Sequence, residues 1–233
     1  MVGHIERFNP IMRALTRATA EGLELTPRFI EVHRVSPLTF RSVDIGVVMD
    51  MGIHDLAVVI MLLGGREPDR VEASGVPVVT EHEDLCNARL TWDVPASQGG
   101  GVCVANMTFS RLALKTERLT RITAEDAYIK IDYGKKTGTL IRRLANEAQM
   151  GEVREQLRDG ADLTNLKWDE LVNVEPLEVD DGEPLLSEIE AFLSCVRSGN
   201  KPEIDARAGL ANVRTAQRIV EAIRESMPQH AST

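Results

Sequence analysis

The segment VVMDMGIHDLAVVIMLLG, residues 47–64, carries Asp50, His54 and Asp55 in an otherwise apolar run. Such a run predicts a buried helix, where charged groups are unfavourable unless they are paired or change protonation state. Asp50 and His54 are four residues apart, so on a helix they share a face, whereas Asp55 points elsewhere. A neutral imidazole can remove a proton from an alcohol while the carboxylate holds the hydroxyl group. The spacing therefore indicates a pair that is able to do acid–base chemistry.

Two other interpretations of these residues remain open. Asp50 and Asp55 could be early-helix residues favoured by the helix dipole, with His54 a hydrogen-bonded core histidine. The same pair could instead ligate a metal ion, with His4 or His33 as a further ligand, as in a metal-dependent hydrolase. The sequence has no HExxH motif, cysteine pair or acidic loop motif to support that interpretation. We therefore expect no metal site.

The composition argues against a nucleic-acid partner. The chain has 233 residues and is 43% hydrophobic, which is enough for a core of its own. Its formal net charge is −9 and its pI is near 5.2. Basic residues form no local cluster, and aromatic residues make up only 4% of the chain. A surface that follows phosphates and stacks bases is therefore not expected.

Cysteine spacing and the apolar segments predict a cytoplasmic chain. Cys86, Cys103 and Cys195 lie far apart without CxxC spacing, which argues against a zinc knuckle and a disulfide framework. The first residues reach the charges of Glu6 and Arg7 before a signal-peptide stretch could develop. The apolar run described above is interrupted by charges and has no flanking interface residues, so it predicts a core helix and no membrane partner.

Helix and strand signals alternate in the first two thirds of the chain. Residues 1–8 have a strand pattern, and Asn9 as N-cap, Pro10 at N1 and Gly22 as a stop predict the helix that follows. The glycines at 99–101 predict a hairpin turn. Runs with a period of two predict strands over 27–37, 69–79, 86–94, 101–114, 118–124, 127–133 and 137–144.

The last third of the chain predicts one more strand and two helices. Residues 145–166 predict an exposed helix or loop, and 166–179 contain the strand. The first helix runs from Pro184 to Gly199 and the second begins near Asp205, and both are expected to pack on the sheet. The fold class is therefore α+β, a large, mostly antiparallel open mixed sheet with helices on one face. The residues predicted to face the sheet are Leu185, Ile189, Phe192 and Val196 in the first helix and Leu210, Val213, Val220, Ile223 and Met227 in the second.

Four segments together resemble a known family. They are GHIERFNP (3–10), DMGIHD (50–55), SRLALKTERLTRI (110–122) and EIEAFLSCVRSGNKPEIDARAGLANVRTAQRIVEAIRES (188–226). In this order they resemble the C-terminal part of Gfo/Idh/MocA oxidoreductases, and the likeness covers nearly the whole chain. The HxERFNP and HRVSP…DMGIHD forms are most similar to the branch that acts on nucleotide-linked amino sugars, such as UDP-N-acetylglucosamine 3-dehydrogenases.

The resemblance implies an NAD(P)-dependent dehydrogenase that oxidises a sugar hydroxyl group by hydride transfer. The family's Asp-x3-His pair falls on Asp50 and His54, so the resemblance implies His54 as proton acceptor or relay and Asp50 as the residue that holds the hydroxyl group. It also implies substrate contacts for Arg7, Asn9 and Arg111. Its fold would be the glyceraldehyde-3-phosphate-dehydrogenase-like C-terminal domain, and it implies a homodimer or tetramer formed through the sheet.

The chain also departs from the family pattern. Where relatives often have Gly-Gly before the Asp, this chain has Ile45-Gly46-Val47, which leaves a close approach of backbone to ligand in doubt. No GxGxxG follows a strand and no Glu-Lys-Pro is present. We therefore expect residues 1–9 to be the remnant of the last strand of a missing dinucleotide-binding domain. Residues 10–228 would be the substrate and oligomerisation domain, and 229–233 a flexible tail.

Two functions from different classes fit these observations. The first is the substrate-binding domain of an NAD(P)-dependent sugar or nucleotide-sugar dehydrogenase, whose full-length form uses NAD or NADP. The second is a non-catalytic, self-associating scaffold or sugar-binding module derived from such an enzyme. In either case we expect no cofactor to bind this chain alone, because the pyrophosphate site is missing. By itself the chain is then expected to be inactive.

Overall fold

An eight-stranded mixed sheet runs through the part of the chain that the structure describes. The computed structural model describes residues 1–39, 41, 43–160 and 168–226. In chain order the strands are β1 (Pro27–Val35), β2 (Arg70–Val76), β3 (Leu85–Asp93), β4 (Val102–Ser110), β5 (Glu117–Ala124), β6 (Ala127–Asp132), β7 (Thr137–Arg143) and β8 (Val172–Pro176). Across the sheet they lie in the order β2-β3-β4-β1-β5-β6-β7-β8. The strands predicted after residue 27 are confirmed, with ends that differ by a few residues.

Strand β1 joins the two halves of this sheet. It pairs in parallel with β4, where Val32 lies beside Met107, and antiparallel with β5, where Val32 lies beside Thr120. Strands β2, β3 and β4 form one antiparallel meander, and β5 to β8 form a second. The sheet is therefore mixed and mainly antiparallel, as predicted.

Helices cover one face of the sheet. Ile11, Leu56 and Ile219, which lie on three different helices, share a buried cluster with Ile30 of β1 and Met107 of β4. The confirmed fold class is α+β with helices on one face. The helical elements are a 3-10 turn (Ile5–Phe8), α1 (Pro10–Ala20), a π-helical turn (Val48–Gly52), α2 (Ile53–Leu62), a 3-10 turn (Ala96–Gln98), α3 (Glu147–Arg158), α4 (Trp168–Leu171), α5 (Pro184–Ser198) and α6 (Ala206–Ser226).

The strand predicted for residues 1–8 is wrong, whereas the interpretation of residues 1–9 as the remnant of a missing domain stays a prediction. Residues Ile5–Phe8 form a 3-10 turn, and Asn9 then caps α1. The turn buries Glu6, whose Oε1 accepts a hydrogen bond from Arg34 Nη2 of β1 at 2.8 Å. The cap itself was predicted correctly, because the Asn9 side chain accepts from the Ile11 backbone N–H at 3.3 Å.

Helix α5 does not bury the face that its spacing predicts. Leu185, Ile189, Phe192 and Val196 are between 45% and 65% exposed, and no residue of α5 is fully buried. The helix packs on the 3-10 turn Ile5–Phe8 instead of on the sheet. Hydrophobic periodicity identifies an apolar stripe, but it does not say which surface covers that stripe.

Helix α6 packs on β2 and α2, but partly through residues that were not predicted. Ile223 is buried as expected, whereas Leu210 and Val213 are exposed. Ala216 and Ile219 take their place in the core. Small side chains such as Ala216 allow the helix to approach the sheet closely, and a pattern of large apolar residues does not indicate such positions.

The region between β7 and β8 contains the predicted exposed helix. This is α3, whose N-terminus has a capping box formed by Asn146 and Gln149. The hairpin predicted at 99–101 is also confirmed, because these glycines connect β3 and β4 with positive φ angles. No helix among the described residues is long and apolar enough to cross a membrane. The predictions for 161–166, for Met227 and for the tail 229–233 lie outside the described residues.

Candidate active site

Asp50 and His54 line one open cleft of about 350 Å³. The cleft lies where the loop after β1 meets the helical segment 48–62. Residues 36–39 form part of its wall, and Arg111 and Arg118 contribute from the far end of β4 and the start of β5. The prediction that Asp50 and His54 share a face is therefore confirmed, and so is the prediction that Asp55 points elsewhere.

The helix that carries the pair begins with a π-helical turn. Residues Val48–Gly52 form this turn, and α2 continues it from Ile53. Single π turns inside helices are uncommon and occur frequently at functional sites. Gly52 lets the turn approach β4, since a Cβ at that position would lie 2.6 Å from the Phe109 ring. Asn212 of α6 fixes the other side by donating to the Ile53 carbonyl at 2.9 Å.

Gly46, the glycine that precedes the Asp50–His54 pair, packs against protein and does not face open space. A Cβ on Gly46 would overlap the Glu83 carboxylate. The Val47 N–H donates to the Glu83 carbonyl at 3.0 Å, and the Val48 N–H donates to its Oε1 at 3.3 Å. The single glycine in Ile45-Gly46-Val47 therefore allows the start of the helix to pack against Glu83.

Asp55 belongs to a buried charge cluster behind the cleft. Arg34 of β1 donates through Nη2 to Asp55 Oδ1 at 3.1 Å, and its Nε also donates to Asp55 Oδ2. The same Nη2 donates to Glu6 Oε1 at 2.8 Å. Arg34, Asp55 and Glu6 are all buried. The cluster therefore ties the N-terminal turn, β1 and α2 together at the floor of the site.

This cluster also sets the protonation state of its neighbours. Burial lowers the pKa of the Arg34 guanidinium, but the charges of Asp55 and Glu6 outweigh burial and raise that pKa overall, so Arg34 stays charged. Burial and the positive charge of Arg34 lower the pKa of His54, against the opposing charges of Asp55, Glu6 and Asp50. His54 is therefore neutral at neutral pH, which is the form that can accept a proton.

The His54 ring is not fixed in one tautomer by the protein. Its Nδ1 is buried and has no hydrogen-bond partner among the described residues. A catalytic histidine is commonly oriented by such a partner on one nitrogen.

Arg111 is the predicted substrate contact that does lie at the cleft. Its Nη2 donates to the Ile45 carbonyl at 2.6 Å, and its Nε is 3.6 Å from Asp84 Oδ1. Asp84 is in turn held by backbone N–H groups of Val78, Val79 and Thr80, which lower its pKa to about 2 although burial raises it. Arg111 is therefore a rigid part of the wall.

Arg7 and Asn9 are not brought to the cleft. Arg7 Nη2 lies 3.6 Å from Glu203 Oε1, next to the start of α6. Asn9 is buried, and its Nδ2 donates to Glu6 Oε2 at 3.3 Å. Both residues were expected to follow a strand into the site. The 3-10 turn that replaces this strand directs them to structural contacts.

Sequence reasoning missed Arg34, Glu6 and Arg118. Arg34 did leave a signal, since it follows Ile30 and Val32 at alternate positions on the inward face of β1. A charged residue on an inward strand face needs a buried partner. Glu6 and Arg118 left no local signal, because their positions depend on contacts between distant segments.

The metal alternative receives no support from the described residues. Among them, no group of three or more His, Cys, Asp or Glu side chains is placed to hold a metal ion. His33 lies 3.3 Å from Glu117, and Asn212 packs against His4, so the two proposed additional ligands have other neighbours. Neither histidine lines the cleft.

A match to a known family agrees with this arrangement. Residues 39–230 match the domain described as "Oxidoreductase family, C-terminal alpha/beta domain", of the Gfo/Idh/MocA group. The chain belongs to this family. The resemblance carried by the four sequence segments is therefore confirmed, and so is the fold expected for a Gfo/Idh/MocA C-terminal domain.

Known relatives of this Gfo/Idh/MocA chain are longer. A curated UDP-N-acetylglucosamine 3-dehydrogenase of Acidithiobacillus ferrooxidans is 36% identical over 132 residues, which are 57% of this chain and 38% of that protein. A solved structure of the enzyme with this name from the same organism has a TM-score of 0.75 and 29% identity, covering 96% of this chain and 62% of that one. A levoglucosan dehydrogenase in complex with NADH and levoglucosan has a TM-score of 0.71 at 12% identity, over 97% of this chain and 64% of that one, and shows the fold alone. The chain spans less than two thirds of each.

The described residues contain no glycine-rich turn of the kind that holds a dinucleotide. Dinucleotide sites hold the pyrophosphate on a glycine-rich turn between a strand and the N-terminus of a helix. The loop from β1 to the π-helical turn contains only Gly46, and that glycine packs on Glu83. The glycines at 99–101 lead into another strand, and no other described strand is followed by a glycine-rich turn and a helix.

Proposed function

We propose that this chain is the substrate-binding part of an NAD(P)-dependent dehydrogenase that acts on sugars or nucleotide sugars. Its membership of the Gfo/Idh/MocA family and its 36% identity with a UDP-N-acetylglucosamine 3-dehydrogenase support this function. The observation that carries the proposal is the convergence of Asp50 and His54 on one open cleft. A buried structural pair would instead face the core.

In this proposal His54 accepts the proton of the reacting hydroxyl group. Its lowered pKa keeps the imidazole neutral before the reaction. Asp50 accepts a hydrogen bond from the substrate and orients it, and its negative charge stabilises the imidazolium that forms. Arg111 is held by Ile45 and Asp84 and shapes the wall beside the substrate. Arg7 and Asn9 act through the structure around the site rather than by touching substrate.

NAD or NADP would supply the hydride acceptor in a longer form of the protein. The described residues offer no cradle for the pyrophosphate, so we propose that this chain alone does not bind either dinucleotide. Isothermal titration calorimetry with NAD(H) and NADP(H) tests this statement. Micromolar binding would show that a cofactor site exists in the chain.

The substrate site is testable on the chain as it stands. UDP-N-acetylglucosamine is titrated while the ring signals of His54 are followed by NMR and the affinity by calorimetry. We expect the His54 signals to shift on binding and Asp50→Ala to weaken binding about tenfold, as expected for one lost charge-assisted hydrogen bond. Asp159→Ala, at an exposed position at the end of α3, is the matched control. If saturating ligand leaves the His54 signals unchanged, the cleft is not the substrate site.

We also propose that the chain self-associates as a homodimer or tetramer through the open face of the sheet. Glu72, Arg89, Asn106, Glu31, Arg121 and Lys130 form one continuous cross-strand row on this face. A surface with charges of both signs can pair with its own copy by charge complementarity. Sedimentation velocity tests the proposal, and a monomer at all accessible concentrations would contradict it. Self-association without sugar binding would favour the scaffold alternative.

A further inference from the structure

The fold gathers four arginines at the cleft, although the sequence contains no local cluster of basic residues. Arg34, Arg41, Arg111 and Arg118 all line it, together with the carboxylates of Glu6 and Asp50. This concentration of guanidinium groups stands out in a chain with a net charge of −9. An acidic protein repels anionic ligands at long range, so local positive charge is needed to bind one.

Two of these arginines are already committed to structure. Arg34 is buried in its contacts with Asp55 and Glu6. Arg111 is buried against Ile45 and Asp84. Neither is expected to change partner for a ligand, because a buried ion pair is difficult to break.

Arg118 differs from both. Its side chain is 49% exposed, and the carboxylate it reaches among the described residues is Glu6, at 3.9 Å. Glu6 already accepts closer hydrogen bonds from Arg34 at 2.8 Å and from Asn9 at 3.3 Å. The positive charge of Arg118 is therefore only weakly compensated by protein groups.

The position of Arg118 in the sheet places it beside this cluster. In the β1–β5 register Arg118 lies directly opposite Arg34. Because Asp55 and Glu6 already bind Arg34, Arg118 is the arginine of this opposed pair that is available to a ligand. The exposed Arg41, together with Ser36 and Thr39 from the same loop, lines the same cleft and can complete such a site.

We propose that Arg118, assisted by Arg41, forms an anion subsite of the cleft that binds the diphosphate of a nucleotide sugar. The inference rests on the proposed function, because it places the sugar hydroxyl group at Asp50 and His54. It selects a nucleotide sugar over an uncharged free sugar as the substrate. Guanidinium groups suit this role because they bind phosphate oxygens through two parallel hydrogen bonds.

The test compares small probes that separate charge from sugar. UDP, uridine, glucuronate and UDP-N-acetylglucosamine are titrated into the chain at low and moderate salt by calorimetry. We expect UDP to bind and uridine not to bind, with UDP affinity falling as salt rises. Arg118→Gln should weaken UDP binding about tenfold and reduce its salt dependence, while Arg118→Lys should retain most of the affinity. Arg70→Gln, an exposed arginine on β2, is the control.

Three results would overturn the subsite. The first is equal binding of uridine and UDP, and the second is an unchanged UDP affinity in an Arg118→Gln variant that unfolds like the native chain. The third is a chain that binds glucuronate but not UDP, which would indicate a sugar acid as the ligand. The proposed function fails separately. If UDP binds through Arg118 but UDP-N-acetylglucosamine leaves the His54 signals unchanged, the anion subsite stands and the dehydrogenase site does not. If UDP-N-acetylglucosamine shifts the His54 signals but binds Arg118→Gln with unchanged affinity, the dehydrogenase site stands and the anion subsite does not.

Discussion

Arg34 binds Asp55 through two guanidinium nitrogens, with Nη2 3.1 Å from Oδ1, and both side chains are at most 5% exposed. The pair fixes β1 to α2 directly below the cleft. A buried ion pair of this kind adds little net stability compared with apolar residues, but the loss of one partner leaves an uncompensated charge in the interior. Asp55 is therefore important for positioning the residue before it, His54.

Replacing Asp55 should destabilise the chain strongly. We expect Asp55→Ala to lower the free energy of unfolding by about 3 kcal/mol or more, because Arg34 would keep only Glu6 as its buried partner. Asp93→Ala removes an exposed ion pair with Arg70 and should change the free energy of unfolding by less than about 1 kcal/mol. Guanidinium unfolding curves of both variants provide the measurement. Equal effects would mean that the buried pair is not structurally important.

Stability should fall as the pH decreases through the histidine range. Burial lowers the pKa of His54 and of His4 in the folded state, with further lowering from Arg34 and Arg7 respectively. The unfolded chain then binds more protons just below its own histidine pKa of about 6.5. The stability that the two neutral histidines contribute is fully present above that pH. It is lost as the pH falls toward their pKa values in the folded state.

The measurement is the guanidinium midpoint between pH 7.5 and pH 5.5. We expect His54→Gln to flatten this dependence, whereas His82→Gln, at an exposed position, should leave it unchanged. Glu6 does not interfere in this window, since Arg34 lowers its pKa overall despite burial, which raises it. A slope that survives in the His4→Gln/His54→Gln double variant would show that other groups cause it.

The π-helical turn should tolerate no side chain at Gly52. In Gly52→Ala the new methyl group would lie 2.6 Å from the Phe109 ring, and we expect a loss of about 1–3 kcal/mol from overpacking. Gly151→Ala is the matched control, because it lies in α3 with open space around it and should stabilise by up to about 1 kcal/mol. Thermal unfolding separates the two. A neutral Gly52→Ala would indicate that Phe109 can move aside.

The three cysteines should differ sharply in reactivity. Cys86 and Cys103 are buried, and burial raises the pKa of their thiols to about 12 and about 11, so little thiolate forms near neutral pH. Cys195 lies on α5 and is only partly buried. We expect Ellman's reagent to modify Cys195 alone in the folded chain and all three in guanidinium. Fast reaction of a Cys195→Ser variant would contradict the burial of the other two.

Local patterns in the sequence were sufficient to predict most helices and strands, but not the whole of the candidate active site. The cap at Asn9, the strand repeats and the helix from 184 follow from neighbouring residues, and each is confirmed. The 3-10 turn at the N-terminus was mistaken for a strand. In this turn Glu6 is buried against Arg34, and local patterns cannot reveal a contact between residues so far apart in the sequence. Within the site, Asp50 and His54 were found because four-residue spacing is a local property of helices.

Surfaces and charge clusters could not be predicted in the same way. The apolar stripe of α5 was identified correctly, yet Phe192 and its neighbours are exposed among the described residues. Arg118 belongs to the cleft only because β5 pairs with β1. Both outcomes depend on which segments meet in space, which is information that periodicity does not contain.

The position of β1 between the two meanders has a consequence for how the molecule assembles. The β2–β4 meander and the β5–β7 part of the second meander can form by closing short connections, whereas the parallel pairing of β1 with β4 joins distant parts of the chain and closes a long loop. We expect this step to be the slow one in refolding. Before it occurs, the edges of β4 and β5 are open, and edge strands of this kind pair readily with other chains. Concentrated refolding should therefore yield intertwined or aggregated molecules, and dilution should rescue the native fold.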